Sequence, residues 1–257
     1  MIELTRPAEG RVLRIGHRGA AALAPENTLR SFERAIELGV DFVEFDVLDL
    51  ADGTLVLAHS DNLLEVSHGA SAGTVRGRTL TALRQVAPEL PTLDEALEFF
   101  TSKTVSLHVD VKCGRGSGAV ARALRRHGLL GRAVASAFRR STLRELRAVA
   151  PELALAVSYP DDCHGLARRR LLTPFVPPTV AMLARVLPPR LARWLDASGA
   201  RAAMLHYAVV SPAAVERCRK RGAAVWAWTV NSPELAESLR ELGVDGIVSD
   251  DPRIFLH

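Results

Sequence analysis

Short apolar, β-rich runs alternate along this chain with stretches whose apolar positions recur every three or four residues. The runs fall at 12–16, 42–47, 105–111, 133–137, 153–158, 202–206, 224–229 and 246–249. Each has the length and composition of a buried strand. Helical patterns lie between most of them, at 27–38, 93–100, 119–126, 142–149, 212–221 and 233–242. The first places Leu29, Phe32 and Ile36 on one face. Ser141, Ser211 and Ser232 stand where N-caps are expected, and Pro212 and Pro233 follow two of them at the first helical position. Gly39, Gly128, Gly222 and Gly243 fall just past helix ends. Strands alternating with helices give a parallel sheet, and eight such units predict closure into an α/β fold, a single (β/α)8 TIM-type barrel.

A ninth run, 54–58, breaks the alternation. Asp52-Gly53 precedes it, a strong hairpin signal, so 54–59 is predicted as an extra antiparallel strand after strand 2. A two-residue turn there places His59 opposite Asp46. Two long connections follow: a polar, Gly-rich insertion at 61–91 with little helical signal, and a Pro- and Arg-rich excursion at 159–199 after strand 5. Both are predicted to lie over the barrel mouth.

The chain has 257 residues, and one barrel needs about 250, so residues 1–257 are read as a single domain. Its 48% hydrophobic and 24% charged residues are an ordinary globular balance. Net charge is +4, carried mostly by arginine; the lysines are Lys103, Lys112 and Lys220. The basic residues are scattered and accompany no recognised binding motif, which disfavours nucleic acid as a partner. Cys113, Cys163 and Cys218 are odd in number and widely spaced, which argues against a disulfide framework or a thiolate metal site. No apolar stretch has the form of a signal peptide or a membrane span, so a cytoplasmic location is expected. Oligomeric state is not legible.

The chemistry sits at predicted strand ends, where barrel enzymes keep their sites. Gly16-His17-Arg18-Gly19 ends the first strand. In Val43-Glu44-Phe45-Asp46-Val47 the two carboxylates share one face and the apolar residues share the other. Glu44 and Asp46 therefore aim into the barrel, where about 5 Å of separation and an effective dielectric near 20 give a repulsion of roughly 3 kcal/mol. Either arginine salt bridges or a metal ion must offset it. The third strand adds His108, Asp110 and Lys112 on one face. Three oxygen ligands without cysteine suit Mg²⁺ or Ca²⁺ over Zn²⁺, and the alternative is a buried charge network. Lys112 lies nearest the mouth, in reach of a phosphate. With His17 and His59 the inventory matches what phosphodiester cleavage asks for: a proton acceptor, a proton donor and positive charge for the phosphoryl oxygens.

These motifs resemble the glycerophosphodiester phosphodiesterase family. The blocks are His17-Arg18-Gly19-Ala20, Pro25-Glu26-Asn27-Thr28, the run from Gly39 to Val47, Asp52-Gly53 with His59, Pro91-Thr92-Leu93-Asp94-Glu95-Ala96-Leu97, the run from Trp226 to Asn231, and the run from Gly243 to Pro252. They cover 12–112 and 223–252 well; 139–200 matches weakly. The resemblance implies a barrel, a divalent cation (Mg²⁺ or Ca²⁺), His17 and His59 as acid and base, and Glu44, Asp46 and Asp110 as metal ligands. It further implies that Arg18 and Lys112 hold the phosphate and that Trp228 lines the substrate pocket. A glycerol hydroxyl would attack phosphorus first, forming a cyclic phosphate that water then opens to glycerol phosphate. The sequence departs from the family at Asp110, where Glu is usual, at Ser60, which precedes Asp61 after the second histidine, and at Ala137-Phe138, where Ser-Phe is common.

The substrate expected is a small-molecule glycerophosphodiester. A lysophospholipase D acting on lipid diesters is one alternative, and a non-catalytic phosphate- or lipid-binding barrel is another. Arg168-Arg169-Arg170 followed by apolar stretches to Leu195 suggests peripheral membrane contact through 168–195, against a helix packed over the rim. His108 is read as a metal or substrate contact or, as the alternative, a structural group one layer down. His68, His127, His164 and His206 are read as solvent or loop residues, and Cys113 as unreactive. Glu26 and Asn27 are read as bracing the first helix, with Glu26 a candidate to orient a catalytic group. Asp250 could project at the end of the eighth strand, but Asp251-Pro252 suggests a turn there.

Overall fold

Eight parallel strands hydrogen-bond in a closed ring in the computed structural model, which describes residues 2–113, 116–161 and 176–256, with backbone only for 176–178. The ring runs β1 (Leu13–Gly16), β2 (Phe42–Asp49), β4 (Ser106–Val111), β5 (Ala133–Ala137), β6 (Ala154–Tyr159), β7 (Ala202–His206), β8 (Ala224–Trp228) and β9 (Gly246–Ser249), and β9 returns to β1. Helices α1 (Leu29–Glu37), α4 (Leu93–Thr101), α5 (Gly118–Arg126), α6 (Arg140–Val149), α7 (Val176–Ser198), α8 (Pro212–Arg219) and α9 (Pro233–Glu241) fall between strands. Among the described residues this is the predicted (β/α)8 barrel.

The period-2 pattern explains how it fills. Val43, Phe45, Val47, Val109 and Leu107 point outward into the layer between sheet and helices, while their neighbours point into the ring. The lower interior is apolar: Leu13, Ile15, Phe42, Val134, Met204 and Trp226 pack there. Leu4, from the segment before β1, closes the bottom, and its carbonyl accepts the Trp226 indole N–H at 2.8 Å. Trp226 fits because Gly246 faces it. A Cβ on Gly246 would lie 2.7 Å from Trp226 Cδ1 and 2.9 Å from Ile15 Cδ1. Gly246→Ala is accordingly expected to destabilise the fold by about 1–3 kcal/mol through overpacking. Urea unfolding would read this as a lower midpoint at constant slope, and an unchanged midpoint would refute it.

Ser211 and Ser232 cap α8 and α9 as the sequence indicates, accepting from Ala214 N and Leu235 N. Ser141 does not cap α6, which begins one residue earlier, at Arg140.

Strand β3 (Leu55–Leu57) pairs antiparallel with the upper part of β2, outside the ring. The loop joining them has three residues, Ala51, Asp52 and Gly53, closed by Leu50 N donating to Thr54 O at 2.8 Å. Gly53, at φ +87°, takes the left-handed position of such a loop. The register is therefore Val47 with Leu57, one residue off the two-residue-turn expectation, and His59 lies beyond the strand. The 61–91 connection carries two short helices that the sequence pattern does not announce, α2 (Leu63–Val66) and α3 (Leu80–Val86). They enclose a small core of Leu48, Val56, Leu63, Val75, Leu83 and Leu90. Arg76 ties this unit to the barrel: its guanidinium pairs with Asp49 and donates to the Lys112 carbonyl at 2.9 Å.

The 159–199 excursion contains α7. Leu187, Leu191 and Leu195 are buried against the barrel, while Met182 is 58% exposed. Residues 168–175 of the membrane-contact expectation, with Cys163 and His164, lie outside the described residues. Among the described residues no helix is long and apolar enough to cross a membrane.

Candidate active site

The upper interior of the barrel is acidic. Glu44 and Asp46 of β2 and Asp110 of β4 are 3%, 1% and 8% exposed, and one carboxylate oxygen of each lies within 4.8 Å of the others. The strands force this: Glu44 pairs in register with His108, and Asp46 with Asp110. Burial, with Asp46 and Asp110 beside it, pushes the Glu44 carboxyl well above the usual range. Burial works against the charge on Asp46 as well, but Lys112 and Arg18 outweigh it and hold that carboxyl below its ordinary value.

The cations are supplied locally. Lys112 Nζ lies 3.3 Å from Asp46 Oδ1 and pairs with Asp110 Oδ2. Arg18 donates through Nη1 to Glu26 Oε2 at 2.6 Å, and its Nε lies 3.1 Å from Asp46 Oδ2. The Arg18 backbone N–H donates to Glu44 Oε2 at 2.8 Å. That contact needs a sharp turn after β1. Arg18 is left-handed at φ 51°, and the next residue must be Gly19, whose Cβ would fall 2.2 Å from Ser31 Oγ. Asn27 clamps Asp46 twice, donating Nδ2 to Oδ2 at 3.1 Å and accepting the Asp46 N–H at 3.0 Å. Asp110 is oriented from below. Ser136 Oγ donates to Asp110 Oδ1 at 2.8 Å, and His108 Nε2 lies 2.9 Å from the same hydroxyl. His108 is buried one layer down, edge-on to Trp226, and desolvation lowers its pKa to about 4. That favours its neutral form, and its ring also borders the cleft.

Three buried, all-oxygen donors with Glu44 short of compensating charge fit a hard divalent cation. Their separation would let one ion touch all three.

Both sequence-predicted histidines line the cleft that holds this cluster. His17 Nε2 lies 3.9 Å from Glu44 Oε2, and its Nδ1 lies 2.6 Å from Asp250 Oδ1. His59 reaches in from the chain beyond β3, with Nδ1 3.6 Å from Glu65 Oε2. Burial lowers the His59 pKa, and the positive charge of Arg18 and Lys112 adds to the effect. Around them opens a cleft of about 1900 Å³ lined by His17, Arg18, Glu44, Asp46, His59, Asp110, Lys112 and Trp228, so every sequence-predicted site residue meets there.

The cleft also holds residues that sequence reasoning missed. Phe138 and His206 stand edge-on to Trp228, with ring centroids at 6.1 and 5.2 Å, forming an aromatic wall. His206 ends β7 and lines the cleft, contrary to its expected loop role. Val180 and Leu183 of α7 also line the cleft. Asp250 is the largest omission. Asp251, not Asp250, makes the turn, by capping the short helix at Pro252–Phe255, and this leaves Asp250 to reach His17.

Residues 17–254 match the sequence model of the Glycerophosphoryl diester phosphodiesterase family. The chain is 29% identical to a glycerophosphodiester phosphodiesterase of Caldanaerobacter subterraneus subsp. tengcongensis, over 96% of this chain and 97% of that protein. A phosphodiesterase from Oleispira antarctica, solved in complex with the product sn-glycerol-3-phosphate, superposes with a TM-score of 0.74 at 23% identity over 95% of each chain. A glycerophosphodiester phosphodiesterase from Thermotoga maritima superposes with a TM-score of 0.72 at 24% identity, covering 96% of this chain and 97% of that one. These two structural likenesses establish the shared fold.

Proposed function

Because the chain belongs to the glycerophosphoryl diester phosphodiesterase family, an enzyme family of phosphoric diester hydrolases, we propose that it cleaves glycerophosphodiesters to glycerol phosphate and an alcohol with His17 and His59 as its acid and base. One observation carries this reading. Two imidazoles, two cations and three buried carboxylates converge at one barrel mouth.

In the reaction we propose, a hydroxyl of the substrate's glycerol loses its proton to one histidine as its oxygen bonds phosphorus. The P–O bond to the alcohol breaks, and the alcohol oxygen takes a proton from the other histidine. Water then opens the cyclic phosphate with the proton movements reversed, and the released ring oxygen is protonated. Arg18 and Lys112 would direct N–H groups at the phosphoryl oxygens, while each also pairs with two carboxylates. Glu44, Asp46 and Asp110 would hold a divalent cation, Mg²⁺ or Ca²⁺, which when bound supplies positive charge to the phosphate. Trp228, with Phe138 and His206, would face the leaving group.

Val180 and Leu183 give the cleft an apolar flank next to exposed Met182, which favours a second reading: a lipid diester with its chain under α7. The test is glycerol phosphate release from glycerophosphocholine and glycerophosphoethanolamine, and lysophosphatidate release from lysophosphatidylcholine. Preference for the two water-soluble diesters is the expected result. Preference for the lysolipid would select the second reading, and no turnover of any diester would leave a binding barrel.

A further inference from the structure

His17 is held at its outer nitrogen by a built array. Asp250 Oδ1 lies 2.6 Å from His17 Nδ1. Asn231 Nδ2 donates to Asp250 Oδ2 at 2.7 Å, so both carboxylate oxygens are engaged. The Asn231 oxygen accepts the Asp250 backbone N–H at 2.9 Å and the Ser249 hydroxyl at 3.1 Å, which fixes which end of the amide faces the carboxylate. The Asp250 carbonyl accepts Ala22 N–H at 3.0 Å, pinning the turn itself. Among the described residues His59 Nδ1 has no such support: Glu65 Oε2 stands 3.6 Å away and makes no hydrogen bond with it.

We infer that Asp250, anchored by Asn231, is a positioning residue that holds neutral His17 in the tautomer with its proton on Nδ1, leaving Nε2 as the nitrogen that works on the substrate. This rests on the reading of His17 as an acid or base. An ionised carboxylate only accepts, so the ring nitrogen facing it must donate. Asp250 meets that condition: burial opposes its charge, but the hydrogen bonds from His17 and Asn231 and the nearby positive charge together keep the carboxyl below its ordinary range. At 3.9 Å from Glu44 Oε2, Nε2 makes no hydrogen bond there and faces the acidic cluster. The array thus sets both the tautomer and the ring plane before substrate arrives.

The test is ¹⁵N-histidine NMR on the whole protein, with the His17 signals assigned by their loss in His17→Ala, beside steady-state kinetics on a glycerophosphodiester. Neutral His17 is expected to show a protonated Nδ1 and an unprotonated Nε2. Asp250→Asn should mix or reverse the tautomers and lower kcat by about 10²- to 10⁴-fold with little change in KM. Asn231→Ala, which only loosens the anchor, should lower kcat by about ten-fold. A wild-type His17 protonated on Nε2 would overturn the inference, as would wild-type kcat in Asp250→Asn. Should Asp250→Asn fail to fold, the wild-type tautomer and Asn231→Ala decide the matter. Wild-type turnover in His17→Ala is a separate failure, of the reading of His17 itself.

Discussion

Replacing His17 or His59 by alanine is expected to lower kcat on a glycerophosphodiester by about 10²- to 10⁴-fold, with thermal stability nearly unchanged. The two side chains have 14% and 27% of their surface exposed at the barrel mouth, and neither belongs to the packed interior. Their loss removes proton transfer without opening a cavity in the core. The double variant should be barely worse than either single one, because both act in the same step and losing one already abolishes it. His127→Ala is the control. That imidazole bonds Asp94 at 3.0 Å, outside the cleft, and its loss should leave turnover at the wild-type value. Single-turnover and steady-state assays with melting curves would decide. Either single variant within ten-fold of wild type, at equal stability, would remove that histidine from the chemistry.

The histidines and carboxylates were legible because strand geometry has period 2. Val43, Phe45 and Val47 had to face the helices, and that sent Glu44 and Asp46 inward with no knowledge of the third dimension. The same rule placed His108, Asp110 and Lys112. His59 was reached through a register that turned out one residue off, since a single inserted residue, Ala51, lets Gly53 close a wider loop. It still arrives at the cleft because its course is set by the small core around Val56 and Leu63, not by strand pairing. α2 and α3 escaped notice because helices of four and seven residues are too short to show a period. Asp250 could be placed at the end of the eighth strand, but its role could not be read. Its partners Asn231 and His17 are 19 and 233 residues away, and the adjacent Asp251-Pro252 carries a turn signal that absorbs attention. Phe138, His206 and Trp228 sit at the ends of different strands, so the aromatic wall is a product of ring closure, invisible to local pattern.

Removal of divalent cations is expected to abolish turnover and to lower the melting temperature by about 5–10 °C relative to saturated protein. Fully ionised, Glu44, Asp46 and Asp110 would carry three charges against the two of Lys112 and Arg18, and Arg18 is shared with Glu26, so without an ion Glu44 is driven toward its neutral form. Each carboxylate pair at about 5 Å costs roughly 3 kcal/mol at an effective dielectric near 20, and a cation relieves more than one pair at once. At a hundred times its dissociation constant it adds about 2.7 kcal/mol to folding, and each kcal/mol moves the midpoint by about 2–4 °C in a domain of this size. Asp46→Asn preserves shape while deleting one charge, and it sits between both cationic side chains. It should weaken cation binding by at least about ten-fold and shrink the thermal shift with it. Titration calorimetry with Mg²⁺ and with Ca²⁺ separately, beside melting curves in EDTA, would measure both effects and name the ion. Undiminished turnover in EDTA, with no heat of binding for either ion, would mean that Arg18 and Lys112 alone neutralise the cluster and that the phosphate meets side-chain charge only.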